Sequence, residues 1–223
     1  MLRNDSDKTV SILGCGWIGK ALKEALYKEK VNCLSRDIQE NEAKGFYLCD
    51  TFVIGIAPRE NHLEVIQESL SKLKTTTQVI FLSSISFYNG KKLVIQAEEL
   101  LQKLCKNAVI LRLGGLMGYN RIAGKYTAGK LLPYNSRTNY VHRDDVVAII
   151  QKVIALDVQK NIFDIVAPQQ TTKKKIFLQN AKQFDFEKTN FLPHFQETKI
   201  LTPDKICKEC AYTFLQKDVE KFW

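Results

Sequence analysis

Three glycines, at positions 14, 16 and 19, constrain this chain more than any other feature of it. They stand directly between the β-branched run Lys8-Thr-Val-Ser-Ile-Leu13 and a stretch in which Ile18, Ala21, Leu22, Ala25 and Leu26 recur at helical spacing. Few folds accept a strand that becomes a helix through Gly-x-Gly-x-x-Gly. The first glycine permits the tight turn, the second lets a ligand approach the backbone, and the third lets helix and strand pack closely. The N–H groups that open such a helix suit an anion. In this context the pattern predicts a bound dinucleotide, its pyrophosphate against Gly14, Gly16, Trp17, Ile18 and Gly19. The plain alternative is a glycine turn in an α/β protein without the ligand.

The remaining segments alternate in the same way. Val31–Leu34 reads as a second strand, Phe46–Leu48 as a short third, and Thr51–Ala57 as a fourth that Pro58 ends. A helix over Leu63–Leu73, a strand over Gln78–Ser83, a helix over Val94–Leu104 and a strand over Ala108–Leu113 follow. Gly114–Pro133 is a glycine-punctuated loop region, Asp144–Ala155 a helix with acids at its positive end, and Asn161–Val166 a last strand. Helical patterns over about 171–183 and 203–221 close the chain. The expected fold is α/β: a Rossmann-type, doubly wound, mostly parallel sheet with a small C-terminal lobe. Residues 1–223 form one dinucleotide-binding domain, and 167–223 a substrate-side lobe that does not fold independently.

Composition narrows the classes further. With 223 residues, 45% of them hydrophobic and 26% charged, the chain can bury a core without disulfides or structural metal. The net charge of +9 invites a nucleic-acid reading. However, the longest like-charge run is Lys173-Lys174-Lys175 and no basic stripe collects the excess, so no nucleic-acid partner is expected. No apolar stretch reaches ~18 residues, and the acid-bearing N-terminus lacks a signal sequence's apolar run. Cysteines 15, 33, 49, 105, 207 and 210 lie in apolar surroundings, which reads as reduced thiols in a cytoplasmic protein without membrane contact.

The second strand ends in Ser35-Arg36, where an acid would hold the 2′-hydroxyl of NAD. A guanidinium there holds a 2′-phosphate, which favours NADP, while Asp37 keeps NAD open. Ala57 and Pro58, past the carboxyl end of their strand, line the adenine or ribose. Ser83 completes the cofactor-binding set, and Arg59 faces phosphate or solvent.

Four segments in order resemble one family. They are Gly14-Cys-Gly-Trp-Ile-Gly19, Phe81-Leu-Ser-Ser-Ile-Ser-Phe-Tyr88, Leu111-Arg-Leu-Gly-Gly-Leu-Met-Gly118 with Arg121, and Tyr140-Val-His-Arg-Asp-Asp-Val146. Together they are similar to the short-chain dehydrogenase/reductase superfamily, in its extended NAD(P)-dependent epimerase/dehydratase branch. The resemblance covers about residues 8–170 and implies a catalytic Ser at position 84. It also implies a Tyr-x-x-x-Lys at the start of the following helix, yet that helix begins Leu93-Val-Ile-Gln-Ala-Glu-Glu99. Tyr88-Asn-Gly-Lys-Lys92 has the spacing, but Asn89-Gly90 is a turn signal that argues against a helix between them. Tyr88 also matches a different family position, the tyrosine at the strand's end, which is not the catalytic one; Ser84 and Tyr88 are the residues left as catalytic candidates.

The resemblance implies an oxidoreductase acting on a small carbonyl or hydroxyl substrate with NADP(H). The alternative is a non-catalytic NADP(H) sensor or scaffold. His142 and Asp145 match the segment that closes the family's substrate side, and Arg112 and Arg121 flank its glycine loop. Cys207-x-x-Cys210 reads as core thiols rather than a metal site. Phe184, Phe186, Phe191, Phe195 and Trp223 suggest an aromatic lobe or an association surface, so a homodimer stays open.

Overall fold

The computed structural model describes residues 8–38 and 43–223, so the reading of the N-terminal seven residues lies outside the described residues. In chain order the elements are β1 (Thr9–Leu13), α1 (Trp17–Ala25), β2 (Lys30–Leu34), β3 (Thr51–Ile54), α2 (His62–Ser71) and β4 (Gln78–Ser84). A 3-10 turn over Ile85–Asn89 leads to α3 (Lys92–Leu104), β5 (Val109–Leu113), β6 (Gly115–Met117), β7 (Leu131–Leu132), β8 (Asn135–Ser136) and β9 (Tyr140–His142). The chain continues through α4 (Arg143–Ala155), β10 (Asn161–Ile165), α5 (Lys173–Gln183), β11 (Asn190–Phe191), β12 (Phe195–Gln196) and α6 (Asp204–Glu209).

Two compact units divide these elements. The first is Met1–Arg112 with Val147–Phe163, and the second is Leu113–Val146 with Asp164–Trp223. The six-stranded sheet runs in the order β10-β5-β4-β3-β1-β2, with β1–β2, β1–β3 and β3–β4 paired parallel. This is the Rossmann-type arrangement, and the chain reverses its direction of travel across the sheet between β1 and β3. Phe52, Val53 and Ile54 are fully buried, as a strand covered on both faces requires. The core of this unit gathers Leu13, Phe52, Ile54, Ile66, Phe81, Leu101 and Ile110.

Three expectations need correction. Phe46–Leu48 is a turn, not a strand. Its apolar signal comes from packing, because the Phe46 ring meets Phe52 edge-on at 5.6 Å and the Phe46 carbonyl accepts the Ser11 hydroxyl. β3 ends at Ile54 rather than Ala57. The 203–221 pattern yields only α6 and a 3-10 turn over Val219–Lys221. Ala211 has φ +46°, and the segment beyond it is taken up by a buried carboxylate: Asp145 accepts from Tyr212 Oη at 2.7 Å, Leu215 N at 2.7 Å and Gln216 N at 3.0 Å.

The second unit is built from short pairings: β6 with β9, β7 with β11, and β8 with β12. The Thr172 hydroxyl accepts from Lys175 N and caps α5, whose Ile176 and Phe177 pack with Ala123, Ala167, Val219 and Phe222.

Candidate functional site

Register alone brings the candidate cofactor residues to one edge. Leu13 is opposite Leu34 on one side and Ile54 on the other, and Ile54 is opposite Phe81. The residues just past these positions, Gly14, Ser35, Gly55 and Leu82, therefore share the carboxyl edge of the parallel strands. Ligands of open α/β sheets bind there, at the point where strand order reverses. At Gly14, with φ +109°, an added Cβ would lie 2.6 Å from the Gly55 oxygen. At Gly19 it would strike the Gly14 carbonyl and lie 3.3 Å from Ile12 Cγ2. At Gly16 it would meet nothing within 4 Å. Gly14 and Gly19 thus serve the turn's own packing, and Gly16 leaves room over it. Helix α1 starts at this point with no side-chain cap and no acid in its first turn, so its positive end has no opposing charge of its own there. Trp17 stands half-buried at its first position, with Ile18 buried behind it.

The Arg36 guanidinium reaches the loop after β3. Its Nη1 donates to Glu60 O at 3.1 Å and Asn61 Oδ1 at 3.0 Å, and its Nη2 donates to Ala57 O. Arg36 and Ala57 are thus joined directly. Beside them His62 is 3% exposed, and its Nδ1 has no partner among the described residues. Burial, helped by the Arg36 charge, pushes its pKa down to about 4.

Cys15 and Cys33 correct the expectation of six reduced thiols: they are joined as a disulfide, with Cα atoms 5.3 Å apart. The cause is the turn itself. Gly14 N and Cys15 N both donate to Leu34 O, at 2.8 and 3.0 Å, which seats the glycine turn on the end of β2. Cys49, Cys105, Cys207 and Cys210 remain thiols outside the disulfide, and Cys210 is buried as a core thiol.

The catalytic candidates lie on the next strand end. The Ser84 hydroxyl accepts from Ser86 N at 3.2 Å and from Ser86 Oγ at 3.0 Å, opening the 3-10 turn that carries Tyr88. Gly90, at φ +71°, ends that turn before α3 starts at Lys92, so no helix joins Tyr88 to Lys92. The Ser83 hydroxyl is directed at Glu98, to which it donates at 2.6 Å. Arg112 grips both Glu98 oxygens, with Nε 3.1 Å from each and Nη2 2.7 Å from Oε2, and its Nη1 donates to Tyr88 Oη at 2.9 Å. Burial works against the Arg112 charge, but the bonds to Glu98 and Tyr88 outweigh it and hold its pKa above the ordinary value. Glu98 was not singled out from the sequence. Its signal is positional: it shares the buried face of α3 with Val94, Ala97 and Leu101, where an acid needs a partner.

In the second unit, His142 is 4% exposed and its Nδ1 accepts the Asp144 N–H at 3.3 Å. Burial lowers its pKa against the pull of Asp144 and Asp145. Nearby Tyr119 adopts φ +55°, unusual for an aromatic residue. Its hydroxyl donates to Asp144 at 2.8 Å and Arg143 lies 3.9 Å over its ring, contacts that offset the backbone strain.

No family model matches the chain. Protein YeeZ of Escherichia coli (strain K12) is 24% identical to it, over 95% of this chain and 97% of that protein. A Methylobacillus flagellatus structure designated an NAD-dependent epimerase/dehydratase aligns with a TM-score of 0.77 at 20% identity, over 95% of this chain and 94% of the other. The human epimerase family protein SDR39U1, solved with NADPH, aligns with a TM-score of 0.73 at 15% identity, over 95% and 96%. With its parallel sheet, glycine turn and reversal of strand order, the protein has a Rossmann-type fold that it shares with these two structures.

Proposed function

We propose that the first unit binds a nicotinamide dinucleotide at the glycine turn, NADP(H) in preference to NAD(H). On this reading the protein moves hydride between that cofactor and a small carbonyl or hydroxyl substrate. The observation that carries the proposal is the open space over Gly16, set at the switch point beside the uncapped start of α1. The NADPH in the human structure of the same fold supports it. Gly14, Gly16, Trp17, Ile18 and Gly19 would hold the pyrophosphate, Ser35 and Arg36 the phosphorylated ribose, and Ala57 and Pro58 the adenine side, with Ser83 at the edge toward the reacting end.

Bound there, the cofactor supplies or accepts a hydride. Reducing a carbonyl also consumes one proton at oxygen. Ser84 at the end of β4 donates a hydrogen bond to that oxygen, and Tyr88 on the 3-10 turn that follows delivers the proton. In the reverse direction Tyr88 takes the proton from the hydroxyl.

The test is equilibrium titration with NADPH and NADH, then NADPH consumption over a panel of aldehydes, ketones and sugars. NADPH binds at least tenfold more tightly, and the gap collapses in Arg36→Ala, whose guanidinium would otherwise meet the 2′-phosphate. Equal affinities in the unmodified protein sink the NADP assignment. The second reading, a non-catalytic NADP(H) sensor, is favoured by the break that Gly90 makes between Tyr88 and Lys92. Cofactor that binds and is never consumed supports it, and turnover abolished by Tyr88→Phe excludes it.

A further inference from the structure

The Tyr88 phenol is held by a cation from a different element than the one its own sequence neighbourhood offers. Glu98 is 0% exposed, and a carboxylate so placed is tolerated only with its lone pairs met. Ser83 Oγ meets one oxygen and Arg112 meets both, through Nε and Nη2. These contacts fix the guanidinium, which also lies 3.6 Å over the Phe87 ring. Its remaining arm, Nη1, donates to Tyr88 Oη at 2.9 Å. The phenol oxygen therefore accepts from an immobilised cation. Such a donor is also bound more strongly by a phenolate than by a phenol.

We propose that Arg112, braced by Glu98 and Ser83, is the positioning residue of Tyr88: it fixes the phenol oxygen at the end of β4 and favours its deprotonated form, the work of the lysine that the Tyr88–Lys92 spacing fails to place. This rests on the assignment of Tyr88 to the reacting centre. The charged groups tied to the phenol act in opposite senses. Arg112 on β5 touches it and favours the anion, whereas Glu98 on α3 stands behind the guanidinium and damps that effect. Removing the ion pair as a unit and removing the Glu98 charge alone therefore move the tyrosine in opposite directions, which a purely structural bond between Arg112 and Tyr88 does not require.

The experiment follows the 13Cζ chemical shift of labelled tyrosine against pH in the cofactor-free full chain, with the Tyr88 signal assigned by its loss in Tyr88→Phe. In Arg112→Met/Glu98→Leu the buried pair is replaced as a unit, so that no lone carboxylate is left in the core. There the Tyr88 midpoint rises by roughly half a pH unit, less than an undamped adjacent charge would give, because the damping carboxylate leaves with the guanidinium. In Glu98→Gln, which keeps Arg112 and its bond to the phenol, the midpoint falls below that of the unmodified protein. A midpoint unchanged in both variants, or moving the same way in both, overturns the proposal. Should the double variant fail to fold, the direction of the Glu98→Gln shift decides alone. No substrate enters the measurement, so its failure is separate from a failure to find turnover.

Discussion

Two single-methyl substitutions in the glycine turn should separate packing from binding. In Gly19→Ala the new methyl meets the Gly14 carbonyl, which is fixed by accepting from Gly16 N at 2.8 Å while Gly14 N donates to Leu34 O at 2.8 Å. Because the obstacle is backbone, it cannot rotate away, and overpacking of this kind costs about 1–3 kcal/mol, here toward the upper end. A loss near 3 kcal/mol lowers the unfolding midpoint of a chain this long by roughly 6–12 °C. In Gly16→Ala the methyl meets nothing within 4 Å, and φ is −92°, outside the left-handed region that favours glycine. Reduced freedom of the unfolded chain gains about 0.4–1 kcal/mol, and a poorer N-cap loses a similar amount. The net change in stability is under about 1 kcal/mol. The same methyl stands where the pyrophosphate must approach, so NADPH affinity falls at least tenfold, about 1.4 kcal/mol. Thermal unfolding followed by circular dichroism and a fluorescence titration with NADPH read the two effects. If Gly16→Ala unfolds as early as Gly19→Ala, or binds NADPH as tightly as the parent, the division of labour in the turn is refuted.

His62 should make the first unit acid-labile. Its folded pKa of about 4 lies below the unfolded value near 6.5, so the unfolded chain binds more protons between those limits and stability is lost as pH falls through them. The loss reaches on the order of 3 kcal/mol by pH 4; urea titrations of His62→Phe across this range should show a flatter pH dependence, and an equally steep one contradicts the assignment. Asp145→Ala removes the acceptor for Tyr212, Leu215 and Gln216 and should cost roughly 3 kcal/mol. Hydrogen exchange should quicken first at the Leu215 and Gln216 amides, and unchanged protection there contradicts the pinning. Thiol counting under denaturing conditions should find four reactive cysteines before reduction and all six after it. Six before reduction would rule out the Cys15–Cys33 bond.

The strands and helices of the first unit were legible because their signals are local. Short apolar runs placed β1, β2, β4 and β5 within a residue at either end. The misreadings arise where distant residues decide. Phe46 reads as strand because its ring is buried, yet it is buried from a turn. The helical spacing over 203–221 is cut short by a carboxylate on Asp145, far away in sequence. Cys15 and Cys33 are neighbours only through the pairing of β1 with β2 and the seating of the turn on Leu34. The glycine turn was legible in full, since its three positions need only the strand before and the helix after. The Ser83–Glu98–Arg112–Tyr88 network was not, because it joins β4, α3, β5 and the 3-10 turn through contacts that no sequence spacing records.

Isothermal titration of NADPH into the unmodified chain tests the central claim most directly. One site per chain, a saturable heat and the loss of that heat in Gly16→Ala are the predicted result. Absence of saturable binding by both NADPH and NADH in the folded protein would contradict it.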